Sequence, residues 1–226
     1  MILFFDLDGP LLDVAPRYVA LHRELLRPHG VEGMDAARYW AAKRARRGEN
    51  DILADLGAAA IAATYNPERL ARIETSAYLR FDRVWPWSLA CLQHLGRHAT
   101  LVMVTARAHR DALLDQLDSL ELRLPFHEIL SEPGNDRVDL QKAGLIRDYL
   151  ARHRLPAEAH WMIGDTEADV LAGKRVGLGT IAVLSGIRDE AHLRAANPDH
   201  LVPDIRVVPA ILKLPPENLP SSTSLS

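Results

Sequence analysis

The sequence predicts an α/β protein with a doubly wound, mostly parallel sheet and an inserted helical domain. Three observations support this prediction. The chain opens on four consecutive apolar residues, Ile2 to Phe5, which suits a strand covered on both faces. From Trp85 onward, apolar β-branched runs alternate with helically spaced segments, as they do in βαβ units. Between these two regions, about seventy residues show helical spacing without a convincing strand.

The first strand runs directly into two acidic residues. Gly9-Pro10 ends the apolar run, and side chains alternate along a strand, so Asp6 and Asp8 are expected on one side. Open α/β sheets bind ligands at the carboxyl ends of their strands. Two acids placed there could act as nucleophile and proton carrier, with a divalent metal between them. The alternative is an edge strand that ends in a solvated Asp-Gly turn.

The helical region after the first strand predicts an inserted bundle. Pro28-His-Gly30, Gly48-Glu-Asn50 and Asn66-Pro67 separate its helices, which are expected at 17–27, 36–47, 50–63 and 67–81. The predicted division assigns residues 1–15 and 84–214 to a core domain and residues 16–83 to a helical cap domain. Residues 215–226 are rich in proline and serine, and we expect this tail to be disordered.

The second half of the chain predicts the rest of the sheet. Strands are expected at 100–104, 127–130, 160–163, 180–184 and 200–202. Helices are expected at 86–95, 110–120, 138–153, 166–176, from 189 and at 207–212. Repeated βα units of this kind place helices on both faces of a mostly parallel sheet.

Composition sets limits on the class of protein. The 226 residues are 48% hydrophobic and 25% charged, and the net charge is −3, which gives no reason to expect nucleic-acid binding. The single cysteine, Cys91, cannot form an intramolecular disulfide. No stretch approaches the length of a membrane span, and the amino-terminal apolar run is too short for a signal sequence. We therefore expect a soluble, cytoplasmic protein without a membrane partner, either a monomer or a homodimer.

A second acidic motif follows the predicted strand at 160–163. Gly164 permits a close approach of the backbone, Asp165 ends the strand, and Asp169 follows one helical turn later on the same face. Sites that combine one or two carboxylates with water are the usual way in which proteins hold Mg²⁺. The alternative is that Asp165 caps the next helix and Asp169 stabilises its first turn.

These motifs resemble those of a known superfamily. The opening Asp-Leu-Asp-Gly-Pro-Leu-Leu-Asp13 resembles the first motif of the haloacid dehalogenase (HAD) superfamily, and Gly-Asp165 with Asp169 resembles its fourth. Thr105 with Ala106 is similar to the second motif, and Lys142 matches the third in position, with Lys174 as a second candidate. The resemblance covers nearly the whole chain and is strongest to phosphoglycolate phosphatase-type proteins. It implies a Rossmann-like core with a helical cap.

The resemblance also implies a chemistry. Asp6 would attack phosphorus, while Asp8 would protonate the leaving oxygen and then activate water. Thr105, Ala106 and Lys142 would hold and neutralise the phosphoryl group. The implied Mg²⁺ ligands are Asp6, Asp8, Asp165 and Asp169. The implied partner is a small phosphorylated metabolite, and the acid at position 8 favours phosphate esters over haloacids.

Two questions stay open at this level. The basic run Lys43 to Arg47 predicts that Arg44 or Arg47 contacts the leaving group, although such a run is more often a solvated helix face. A sugar phosphomutase or a non-catalytic binding protein on the same scaffold is the alternative to a phosphatase.

Overall fold

A six-stranded parallel sheet forms the centre of the molecule. The structure, a computed structural model, describes residues 1–132 and 137–216, so the predicted disorder of 217–226 lies outside the described residues. The strands are β1 Ile2–Phe5, β2 Leu12–Asp13, β3 Arg83–Val84, β4 Thr100–Thr105, β5 Glu128–Ser131, β6 Trp161–Gly164, β7 Gly179–Val183 and β8 His200–Val202.

The described helices surround this sheet and form the insert. They are α1 Ala15–Leu26, α2 Ala36–Arg44, α3 Glu49–Asp55, α4 Ala62–Arg72, α5 Ser76–Leu79, α6 Ser88–Gly96, α7 Arg110–Ser119, α8 Val138–Arg152, α9 Glu167–Val176, α10 Glu190–Ala195 and α11 Val208–Ile211. Short 3₁₀ helices cover Arg27–His29, Ala59–Ile61 and Ile205–Val207. No described helix combines the length and the apolar character that crossing a bilayer requires.

The order of the strands places a crevice at the end of β1. The sheet runs β5-β4-β1-β6-β7-β8, so the chain extends to one side of β1 and then to the other. Phe5 pairs with Met103 of β4 and with Ile163 of β6, and both pairings are parallel. An open α/β sheet binds its ligand where the strand order reverses, at the carboxyl ends of the strands. The site is therefore expected just beyond Phe5.

Both faces of the sheet are covered, which confirms the predicted doubly wound fold. Leu3 and Phe5 pack in one apolar cluster with helices α6 and α7. Ile2 and Phe4 point to the opposite face and pack with helix α8. All four side chains are nearly inaccessible to solvent, which explains why β1 is continuously apolar.

Helices α1 to α5 lie between two short strands that the sequence does not predict. β2 and β3 pair in antiparallel fashion, with Leu12 opposite Val84, and two residues are too few to show a period. The insert also has an apolar cluster of its own, which includes Leu21 and Leu53. We therefore propose that the insert is a separate cap domain joined to the core through this two-stranded ribbon.

Several predicted boundaries inside the insert were wrong, and the helix predicted over 67–81 is divided between α4 and α5. Helix α4 continues through Pro67, where a break was predicted. Proline removes one helical hydrogen bond, but Tyr65 of the same helix is buried against α1, and this packing offsets the loss. The helix predicted over 50–63 instead ends at Asp55, because Gly57 adopts a left-handed conformation with φ of 68°.

Candidate active site

Side chains at the ends of three neighbouring strands line one cavity. β1 is followed by Asp6, β4 ends at Thr105, and β6 is followed by Asp165. The backbone N–H of Asp6 donates to the carbonyl oxygen of Ile163 at 2.9 Å, which keeps the two strand ends together. The cavity at this edge has a volume of about 290 Å³. Its lining includes Asp6, Asp8, Thr105, Ala106, Lys142 and Asp165.

Three carboxylates meet beside this cavity. Asp6, Asp165 and Asp169 each offer one oxygen, and these oxygens lie within 4.8 Å of one another. All three residues are buried. The Lys142 ammonium lies 2.9 Å from Asp6 Oδ1 and 2.6 Å from Asp169 Oδ1. Lys142 thus contacts two of the three acids, and three carboxylates beside one ammonium carry net negative charge when all four groups are ionised.

The electrostatics of this cluster fit a divalent cation. Burial raises the pKa of Asp6 to about 7, although Lys142 opposes the shift. Burial also raises the pKa of Asp165, and the neighbouring charges of Asp6 and Asp169 raise it further. Within the described residues, Asp165 Oδ1 is buried and has no hydrogen-bond partner. Since unpaired buried carboxylate oxygens are costly and Mg²⁺ prefers oxygen ligands, these residues suit Mg²⁺.

Two glycines allow the backbone to approach Asp165. Gly9 has a φ of 96°, which side-chain-bearing residues rarely adopt, and a Cβ at this position would overlap the Asp165 carboxylate. A Cβ at Gly186 would overlap the same carboxylate. The Asp-x-Asp-Gly order of the opening motif therefore has a steric reason as well as a chemical one.

The structure does not place the Asp8 carboxylate among the three acids that meet, although Asp8 was predicted as a metal ligand. Arg17 Nη2 lies 2.8 Å from Asp8 Oδ2, and Arg107 Nη2 lies 2.6 Å from Oδ1. The same two arginines also face the buried Asp82. The physical reason is that β1 ends at Phe5, so the strand alternation used for the prediction does not extend to Asp8.

These arginines also decide the charge of Asp8. Burial by itself would raise the pKa of its carboxyl group. The guanidinium groups of Arg107 and Arg17 outweigh burial and hold the pKa of Asp8 well below its ordinary value. In this arrangement Asp8 is ionised, and it is ready to accept a proton.

The structure separates the two candidate lysines. Lys142, in helix α8, is buried between Asp6 and Asp169. Lys174, in helix α9, lies at the surface and donates to the carbonyl oxygen of Ala196 at 3.2 Å. Only Lys142 of the two contacts the acidic cluster.

Arg44 and Arg47, which were predicted to contact substrate, both bind other groups of the protein. Arg47 pairs with Asp55 inside the insert at 2.6 Å. Arg44 donates to the carbonyl oxygens of Leu184, at 3.0 Å, and Gly186. Neither arginine lines the cavity. A run of basic residues shows that positively charged side chains are present, but the sequence does not show which acceptors they contact in the fold.

Other cavity residues were missed by the sequence reasoning. Arg107 lies two positions after Thr105, so the second motif could have pointed to it. Tyr18 and Glu74 reach the cavity from the insert, and Arg188 reaches it from the segment after β7. Glu74 also accepts a hydrogen bond from the Ala108 N–H at 2.7 Å, which ties the insert to the end of β4. Nothing in their local sequence sets these last three apart.

Comparison with known proteins is consistent with this geometry. A family model of HAD-hydrolase-like proteins matches residues 142–208, a range that contains Lys142, Asp165 and Asp169. The chain is 24% identical over 216 residues to the phosphoglycolate phosphatase of Vibrio cholerae, covering 90% of this chain and 93% of that protein.

Solved structures show the same fold. A haloacid dehalogenase-like hydrolase from Streptococcus pneumoniae superimposes with a TM-score of 0.68 and 23% identity, over 93% of this chain and 97% of that one. A candidate β-phosphoglucomutase from Thermotoga maritima superimposes with a TM-score of 0.67 and 20% identity, over 94% and 98%. At these identities the solved structures establish the fold alone.

Proposed function

Because this chain is a hydrolase of the HAD superfamily, we propose that it is a Mg²⁺-dependent phosphatase that cleaves a small phosphate monoester through an aspartyl-phosphate intermediate. One observation carries the proposal: Asp6, Asp165 and Asp169 meet around Lys142 at the carboxyl end of the sheet. The Vibrio cholerae relative is a phosphoglycolate phosphatase, so phosphoglycolate is the first candidate substrate.

The first step uses Asp6 as the nucleophile. An oxygen of its carboxylate attacks phosphorus, and the bond from phosphorus to the ester oxygen of the leaving group breaks. Lys142, 2.9 Å from Asp6 Oδ1, orients this carboxylate and offsets charge on the transferring group. The Thr105 hydroxyl and the Ala106 N–H, at the end of β4, are candidate donors to the phosphoryl oxygens.

The second step releases phosphate. Water attacks phosphorus, the bond to Asp6 breaks, and Asp8 accepts the proton from that water. The two arginines keep Asp8 in the ionised form that this step requires. Donation of a proton to the leaving oxygen in the first step requires the opposite form of Asp8. We therefore propose that these arginine contacts loosen when substrate binds.

The acids of the cluster would hold Mg²⁺. Asp6 and Asp165 both line the cavity, whereas Asp169 does not line it and contacts Lys142. A bound Mg²⁺ would offset the charge that these carboxylates and the phosphoryl oxygens bring together. The backbone N–H of Ile187 donates to Asp165 Oδ2 at 2.5 Å and orients that carboxylate.

A sugar phosphomutase is the second candidate, because a candidate β-phosphoglucomutase has the same fold. The two activities would share Asp6 and Asp8, and they differ in the acceptor of the phosphoryl group. A requirement for a sugar bisphosphate to prime turnover would favour the mutase. A purely binding role is disfavoured, because Lys142 lies 2.9 Å from the buried Asp6 carboxylate, where it could orient a nucleophile.

A panel of phosphate monoesters tests the proposal. We expect release of inorganic phosphate from phosphoglycolate, glucose 1-phosphate or p-nitrophenyl phosphate in the presence of Mg²⁺, and its loss when EDTA is added. The highest kcat/KM is expected for a small ester with a second anionic group. Absence of turnover on every ester, together with no measurable binding of Mg²⁺, would refute the proposal.

Arg188 is the best candidate for recognising such a second anion. It lines the cavity, its side chain is 20% exposed, and Glu167 is its carboxylate partner at 2.9 Å. We expect Arg188→Ala to raise KM for phosphoglycolate about tenfold or more, because a hydrogen bond between two charged groups is lost. KM for p-nitrophenyl phosphate, which has no second anion, should change much less.

Arg46→Ala is the matched control for this experiment. Arg46 also faces Glu167, at 3.5 Å, but its side chain is 66% exposed and does not line the cavity. Equal changes in KM for phosphoglycolate and p-nitrophenyl phosphate in Arg188→Ala would show that Arg188 does not bind the second anionic group. An effect of Arg46→Ala as large as that of Arg188→Ala would lead to the same conclusion.

A further inference from the structure

Within the basic run of the insert, Arg44 binds backbone carbonyl oxygens of the core. Helix α2 ends at Arg44, and its guanidinium group donates to two main-chain carbonyl oxygens, those of Leu184 at 3.0 Å and Gly186. The carbonyl oxygen of Arg44 in turn accepts from the backbone N–H of Asp189 at 3.1 Å. Arg44 therefore holds both ends of residues 184–189, the β7–α10 loop.

The other side of this loop contacts the acidic cluster. The N–H of Ile187 donates to Asp165 Oδ2 at 2.5 Å. Gly186 lacks a side chain, and a Cβ there would overlap the Asp165 carboxylate, so the backbone lies directly against it. The loop thus lies between an arginine of the insert and an acid of the cluster.

A single peptide unit joins the two contacts. The carbonyl group of Gly186, which binds Arg44, and the N–H of Ile187, which binds Asp165, belong to the same peptide bond. This unit is planar and trans, so its C=O and N–H point in opposite directions and cannot rotate independently. A hydrogen bond at one end also polarises the unit and strengthens the bond at the other end. Arg44 and the Asp165 carboxylate are therefore linked through this one peptide unit.

We propose that Arg44 is a positioning residue, which orients the Asp165 carboxylate through the Gly186–Ile187 peptide. Through this contact, docking of the insert on the core is coupled to cation binding. Its consequence for catalysis rests on the proposed function, whereas the hydrogen-bonded chain itself does not. Arg44 contacts neither the cavity nor the three acids directly. Its effect is thus expected on cation affinity rather than on the chemical step.

The loop has other anchors, so removal of Arg44 should not unfold it. Ser185 Oγ donates to the carbonyl oxygen of Gly9 at 3.0 Å, and the Leu184 N–H donates to the carbonyl oxygen of Val202 at 2.9 Å. These contacts keep the chain near the cluster, and neither involves the Gly186–Ile187 peptide. The substitution should therefore change orientation at Asp165 while leaving the fold in place.

The experiment measures cation binding without substrate. Mn²⁺, which also prefers carboxylate oxygens, is titrated calorimetrically into the wild type, Arg44→Ala, Arg44→Lys and Arg47→Ala. Arg47→Ala is the matched control, because Arg47 has the same charge and pairs with Asp55 inside the insert. Hydrogen exchange of the Ile187 amide is followed in the same proteins before Mn²⁺ is added.

We expect Arg44→Ala to raise the Kd for Mn²⁺ about tenfold, as loss of a group that orients a metal ligand commonly does. Arg44→Lys should show a smaller rise, because one ammonium group cannot hold two carbonyl oxygens as the guanidinium fork does. The Ile187 amide should exchange faster in both variants, and Arg47→Ala should match the wild type. If Arg44→Ala does not fold, as judged by circular dichroism, Arg44→Lys provides the test.

Two results would overturn the inference. One is a Kd for Mn²⁺ at the wild-type value in the folded Arg44 variants. The other is an equal loss of affinity in Arg47→Ala. Failure of the proposed function would be seen separately, as an absence of ester hydrolysis by the wild type, and it would not change the Mn²⁺ comparison.

Discussion

Asp6→Asn is expected to lower phosphate release by at least about a thousandfold, because the amide cannot form an aspartyl phosphate. The fold should survive this change. Asparagine is nearly isosteric with aspartate, and Lys142 keeps its contact with Asp169 at 2.6 Å. Turnover of phosphoglycolate and the thermal unfolding temperature, measured on the same preparation, check both parts of the expectation.

Asp13→Asn is the control for this substitution. Asp13 belongs to the same opening motif, but it lies in β2, accepts from the Ala15 N–H at 3.1 Å and does not line the cavity. Its variant should keep most of the activity. If Asp6→Asn retained a tenth of the wild-type turnover, the nucleophile would have to be another residue.

Lys142→Met is expected to destabilise the metal-free protein by about 3–5 kcal/mol, the usual cost of removing one partner from a buried ion pair. The change leaves Asp6, Asp165 and Asp169 together without the ammonium that lies within 3 Å of two of them. Denaturant unfolding in EDTA measures this loss. Addition of Mg²⁺ should recover part of it, because a bound divalent cation stabilises only the folded state.

The effect of Lys142→Met should also depend on pH. Burial raises the pKa of Asp6 to about 7, so the folded protein binds more protons than the unfolded chain between the ordinary aspartate pKa and that value. Because the folded state binds the additional proton, the contribution of Asp6 to the free energy of unfolding increases as pH falls. Removal of Lys142 raises the pKa of Asp6 further, so the loss of stability should be greatest above pH 7 and smaller at pH 5.

Lys174→Met is the matched control, since it removes a lysine at the surface of helix α9. Lys174 contacts the main-chain carbonyl oxygen of Ala196 and no residue of the cluster. Its stability and turnover should remain close to those of the wild type. If Lys174→Met lost activity while Lys142→Met kept it, the assignment of the third motif to Lys142 would be wrong.

Much of the fold could be predicted from local pattern. The apolar run of β1, the βα alternation after Trp85 and the turn residues between them predict a doubly wound parallel sheet, and the structure confirms it. The reason is that burial on both faces imposes a continuous apolar sequence on the central strands. Short or unusual elements escaped this reasoning: β2 and β3 have two residues each, and Pro67 lies inside a helix.

The sequence by itself also determined which acids could meet. Parallel strands end at one edge of a sheet, so residues that directly follow β1 and β6 must be neighbours, and the structure brings Asp6 and Asp165 together there. Asp169 follows on the next helix at a spacing fixed by helical geometry. These relations depend on strand and helix periods, which a sequence contains.

Only the tertiary structure decided which charges pair across elements. The chain has 27 lysines and arginines and 30 acids, and sequence separation does not select among their pairings. Asp8 is bound by Arg17 of α1 and by Arg107 after β4, although the strand pattern had predicted it as a metal ligand. Arg44 donates to carbonyl oxygens of the β7–α10 loop, a partner that its place in the sequence does not predict. A side chain's partner depends on how the insert packs on the core, and that packing is set by long-range contacts that no local period encodes.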